Sequence, residues 1–123
     1  MTDSESSQSF VEKYLRLREK INELNSELEN TLGLSWNDFL VLKLAKSTPL
    51  TQKQLAAKTG LSQAGVSKIV FRLLTLKLIE INILDIDRRA NIILLTAIGD
   101  KKLDLADRVV LLKIAETDCE QTD

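Results

Sequence analysis

Ser62, Gln63, Ala64 and Gly65 open a segment in which Lys68 and Arg72 follow four residues apart. Four residues is about one helical turn, so the two cations share a helix face, and the side chains ahead of them are short or adaptable. That combination suits the major groove of duplex DNA. A glutamine amide can pair with adenine, a lysine can reach a guanine edge or a phosphate, and an arginine can reach a phosphate. The small neighbours let the backbone approach the base edges. Catalysis has no comparable foothold in the sequence. There is no histidine, the single cysteine (Cys119) lies in a polar C-terminal stretch, and the four glycines form no phosphate-cradling loop. No enzyme, metal site, cofactor or disulfide framework is therefore expected.

The element needed to position these residues is legible around them. In Thr51 to Leu74 the pattern is that of a helix-turn-helix: Ala56 four residues before Gly60, Val66 six after it, and Leu55, Leu61 and Ile69 completing a small core. Thr51 with Gln54 forms a capping box, Gly60 takes the left-handed position ending the first helix, and Ser62 caps the second.

The charge distribution points the same way. The net charge is only −1, yet residues 41–90 hold nine Lys or Arg against three acids, while the rest holds eight against fifteen. A basic segment centred on a helix-turn-helix is an electrostatic footprint for phosphate. No apolar run approaches the roughly 20 residues of a membrane span, and the opening MTDSESSQS lacks the features of a signal peptide, so a cytoplasmic location is expected.

Along the rest of the chain, residues 1–8 are polar and serine-rich and read as a disordered tail. Ser9 with Glu12 predicts a helix start, after which Phe10, Tyr14, Leu17, Ile21, Leu24 and Leu28 recur with a 3.5-residue period that suits packing lengthwise against another helix. Gly33 ends that helix. A second starts at Ser35, with Asp38 assisting the cap, and turns Trp36, Phe39, Leu40 and Leu44 inward until Ser47-Thr48-Pro49. Ile79–Ile83 and Ala90–Leu95 read as a β-hairpin. A final helix, capped by Thr96, runs to about Glu116. Its apolar residues, among them Leu103 and Val110, cover more than one face, which predicts burial against both the body and a partner. The sequence thus describes a mainly α fold with a small hairpin: a single domain over 9–116, with 35–95 as the DNA-binding lobe, 9–32 and 96–116 as dimerisation helices, and 117–123 as a tail.

The run LSWNDFLVLKLAKSTPLTQKQLAAKTGLSQAGVSKIVFRLL followed by DIDRRANIILLTAIG, residues 34–99, resembles the MarR family of winged helix-turn-helix transcriptional regulators. Asp-Arg-Arg followed by Leu-Thr-x-x-Gly is its most specific part. The resemblance implies a homodimer binding pseudo-palindromic double-stranded DNA, with repression the expected mode and the first and last helices joining the two copies. It places Gln63, Ala64, Ser67 and Lys68 on the major groove. It also places Arg88 and Arg89 in the wing, where one arginine enters the minor groove and Asp87 helps hold it. A small-molecule effector fits the family, but the sequence identifies none. Lys77 stands where the family usually has glycine, Ile81 where an arginine often begins the wing, and Leu84 and Ile86 put apolar side chains near the wing tip. Those two residues carry the competing reading, a winged-helix adaptor or antirepressor that binds another protein through the wing.

Overall fold

The computed structural model describes residues 3–83 and 91–121. Its chain divides into two compact units, residues 1–36 and 37–123. The elements in order are α1 (Asp3–Leu32), α2 (Trp36–Ser47), β1 (Leu50–Thr51), α3 (Gln52–Thr59), α4 (Gln63–Thr75), β2 (Ile79–Ile83), β3 (Asn91–Leu95) and α5 (Ala97–Gln121).

The first unit is dominated by α1, which begins earlier than its sequence suggests. Residues 3–8 are helical rather than a disordered tail, and the chain passes through Ser9 without stopping to use the Ser9–Glu12 cap. Gln8 donates from Nε2 to Glu12 Oε1 at 3.3 Å, an i,i+4 pair that supports the extra turns. The helix stops ahead of Gly33, and within the same unit the Trp36 N–H donates to Asn25 Oδ1 at 2.7 Å. The 3.5-residue seam has two characters. Phe10, Tyr14 and Leu17 are exposed, Ile21 is half-buried, and Leu24 and Leu28 are buried.

In the second unit, α2 buries Asp38, Phe39, Val41, Leu42 and Ala45. Leu40 and Leu44, expected to point inward, are only half-buried, as is Trp36. The buried stripe is rotated toward positions 38, 41, 42 and 45, and this brings a carboxylate into the core. Lys43 bonds Asp107 at 2.8 Å and Lys46 bonds Asp100, tying α2 to α5. The hydrogen bond to Asp100, and then its charge, raise the Lys46 pKa.

The hairpin expected from the sequence is present as β2 and β3, antiparallel and in register from Ile79 opposite Leu95 to Ile83 opposite Asn91. A third strand accompanies them. β1 pairs Leu50 with Ile93 and Thr51 with Ile92, giving a sheet of order β1-β3-β2 with Leu50, Ile79 and Ile93 buried. α5 continues to Gln121, past the expected end near Glu116 and into the supposed tail. It buries Leu103, Ala106 and Val110 while Ile98, Leu105, Leu111, Leu112 and Ile114 stay exposed, so its apolar surface does exceed one face.

Candidate nucleic-acid interface

The helix-turn-helix is built from short-range chemistry. Thr51 caps α3 by accepting from the Gln54 N–H at 3.1 Å, and the Gln54 side chain accepts the Thr51 N–H at 3.0 Å. Gly60 closes α3 at φ 76°, where a side chain would be strained, and its N–H returns to the Ala56 carbonyl at 2.9 Å. Ser62 then starts α4, its hydroxyl accepting the Gly65 N–H at 3.0 Å. Leu55 and Val66 are fully buried and Ile69 is buried, as the crossing requires, whereas Leu61 is only half-buried.

Val66, Ile69, Val70 and Leu73 form the inward stripe of α4. The opposite face carries Gln63, Ala64, Ser67, Lys68, Phe71 and Arg72, all exposed, with the capping Ser62 exposed at its head. Two of these side chains are committed elsewhere in the lobe. The Ser67 hydroxyl donates to Gln52 Oε1 at 2.9 Å and stitches α4 to α3. Arg72 forms an ion pair with Asp38 of α2, a carboxylate whose side chain is 2% exposed against 52% for the guanidinium. A carboxylate that deep is tolerable because a cation answers it. By local spacing alone Asp38 fits a helix cap and Arg72 a phosphate contact. Their pairing spans 34 residues, a separation at which no local signal operates.

Beyond α4 the chain turns on a lysine. Lys77 adopts φ 63°, its N–H donates to the Leu74 carbonyl at 3.0 Å, and the Leu78 N–H donates to the Leu73 carbonyl at 3.0 Å. This is a Schellman closure with Lys77 in the place glycine normally fills. Thr96 grips the same turn. Its N–H donates to the Leu78 carbonyl at 3.1 Å, its hydroxyl donates to the Lys77 carbonyl at 2.7 Å, and that hydroxyl oxygen accepts the Gly99 N–H at 3.0 Å. A Cβ at Gly99 would lie 1.9 Å from the Leu78 carbonyl oxygen. The Leu-Thr-x-x-Gly run therefore locks the end of α4 to the base of the hairpin and the start of α5.

Arg88 and Arg89, with Leu84, Ile86 and Asp87, lie outside the described residues, as does the wing tip they were expected to form. Of the residues expected at a dimer seam, Leu24, Leu28, Leu103 and Val110 are already covered within one chain, which leaves Phe10, Tyr14 and Leu17 facing outward and Ile21 half-buried. An open groove of about 450 Å³ lies beside the sheet, lined in part by Lys46, Pro49, Glu80, Thr96 and Asp100. Among the described residues no group of three or more His, Cys, Asp or Glu could hold a metal ion, and no helix is long and apolar enough to cross a membrane.

No curated protein matches the sequence. Solved structures do match the fold. The transcriptional regulator BldR from Sulfolobus solfataricus superposes with a TM-score of 0.87 at 24% identity, over 95% of this chain and 85% of that one. AbsC, a MarR family transcriptional regulator from Streptomyces coelicolor, gives 0.79 at 20% identity over 94% and 79%. A MarR family regulator from Rhodococcus sp. RHA1 gives 0.78 at 22% over 95% and 81%. The family model for MarR matches residues 32–90, which contain the whole helix-turn-helix and β2, the first strand of the hairpin. With that match laid over a capped helix-turn-helix and a three-stranded wing base, the chain is similar to the MarR family over residues 32–90 and shares the winged-helix fold of its solved members.

Proposed function

We propose that this protein is a sequence-specific double-stranded DNA-binding transcriptional regulator that acts as a homodimer on a pseudo-palindromic operator. The observation that carries the reading is the outward face of α4, where Gln63, Ala64 and Lys68 stand exposed on a helix whose other face is anchored in the lobe. Gln63 is suited to adenine, Lys68 to a guanine edge or a phosphate, and Ala64 leaves room for close approach. Ser67 and Arg72 serve chiefly to hold the helix, through Gln52 and Asp38. Arg88 and Arg89 are assigned to the wing and the minor groove, where they add affinity more than base choice.

The second copy is expected to cover the exposed apolar residues of the terminal helices: Phe10, Tyr14 and Leu17 of α1, and Leu111, Leu112 and Ile114 of α5. The buried Leu24, Leu28, Leu103 and Val110 would support that surface from within. Two α4 helices related by a two-fold axis reach major grooves about one turn apart, so the operator should be an inverted repeat with half-sites roughly 10 base pairs apart. Selection of bound fragments from genomic DNA, followed by sequencing, tests this directly. Recovery of a shared inverted repeat is the expected result, and fragments without any common sequence would remove the claim of specificity.

A further inference from the structure

The exposed face of α4 holds one residue that the polar account leaves unused. Phe71 is 73% exposed. A large ring on a helix otherwise anchored by Val66, Ile69, Val70 and Leu73 would ordinarily turn toward that stripe, yet Phe71 points away from it. It stands three residues after Lys68, four after Ser67 and seven after Ala64, all exposed, so these side chains line one stripe opposite the core. Ala64 to Phe71 is two turns, about 10 Å of helix, comparable with the roughly 12 Å width of a major groove. The ring is also flanked by cations at positions 68 and 72, which favour a polyanion as the surface that covers it.

We propose that Phe71 reads thymine, its ring packing on the C5-methyl group of one thymine in each half-site. The inference rests on α4 being the helix that reads DNA, and it names what that helix recognises beyond hydrogen-bonding base edges. The thymine methyl is the apolar feature of the major-groove edge, and an aromatic side chain contacts it without needing a donor or acceptor. Removing the methyl forfeits about one buried carbon. That is roughly fourfold in affinity per half-site, and about fifteenfold when both symmetric thymines are changed.

The test uses the full chain and the operator recovered by genomic selection. Thymines are replaced by deoxyuridine one symmetric pair at a time, which deletes only the methyl group, and affinity is measured for the unaltered protein, Phe71→Ala and Phe71→Leu. The unaltered protein should lose about tenfold or more at one symmetric pair. Phe71→Ala should bind the thymine operator more weakly by a similar factor and show no further loss with deoxyuridine, while Phe71→Leu should keep part of the sensitivity. If the unaltered protein binds the operator but ignores deoxyuridine everywhere, or if Phe71→Ala remains as sensitive as the parent, the thymine assignment is overturned while the DNA-binding reading stands. If the protein binds no DNA, both fall.

Discussion

The two ends of α4 are made in opposite ways. At its N-terminus the backbone is held by one local cap, Ser62 to Gly65, and the side chains that follow, Gln63 and Ala64, project into solvent. At its C-terminus nearly everything is engaged. Arg72 pairs with Asp38, Lys77 and Leu78 close a Schellman turn, and Thr96 clasps that turn from the other side of the hairpin. The difference teaches where specificity can reside. A side chain that must choose among base pairs has to be free to meet them, and a helix that presents it must not rock. The fold separates those duties: the holding contacts gather toward the C-terminal end of α4, while Gln63, Ala64, Lys68 and Phe71 stay exposed on its outer face.

The largest expected effect breaks the fixed end. Gly99→Ala places a methyl carbon against the Leu78 carbonyl oxygen, so the turn or α5 must shift. A loss of about 3 kcal/mol and a fall in Tm of roughly 10 °C are expected. Calorimetry that finds Tm within a degree of the parent would show the joint to be slack. At the free end, Gln63→Ala should leave Tm unchanged but weaken operator binding by about 1 to 3 kcal/mol per lost bidentate contact, relaxing preference at one symmetric base position. Arg72→Ala against Lys68→Ala sharpens the contrast. Arg72→Ala removes the cation that answers a buried carboxylate and should lower stability by about 1 to 2 kcal/mol in urea titrations, with partial recovery when Asp38→Asn is added. Lys68→Ala should leave stability alone and, if the lysine meets one phosphate per half-site, flatten log K against log salt by about two units. The smallest change has the opposite sign: Lys77→Gly relieves a left-handed lysine and should stabilise the protein by roughly 0.5 to 1 kcal/mol, after the entropy of the unfolded glycine is allowed for.

What the sequence disclosed and what it hid follow the same division. Thr51, Gln54, Gly60 and Ser62 act through hydrogen bonds spanning three or four residues, so their spacing alone announces the helix-turn-helix. The outward placement of Gln63, Ala64 and Lys68 follows from the period of the apolar residues between them. Asp38 and Arg72 meet only once the lobe is folded, and each also satisfies a local rule, one as an acid in a first helical turn and the other as a cation beside Lys68. β1 is two residues long, and its Thr51 already serves as a cap, which masks its part in the sheet. The early start of α1 shows propensity and i,i+4 pairing prevailing over a capping box that reads well in isolation. The turn after α4 is signalled only by the resemblance, which puts Lys77 where the family usually has glycine; lysine has no preference for the left-handed region, and it is held there by the carbonyl and amide partners around it.

The Thr96 hydroxyl has a mechanical consequence. One oxygen atom caps α5 and also holds the carbonyl that ends α4's closing turn, and the neighbouring backbone at Gly99 sits too close to Leu78 to admit a methyl group. A hinge needs play, and this junction has none. Rotation of α5 about its own axis is therefore expected to be carried into α4 rather than absorbed between them, the two helices turning as arms of one crank.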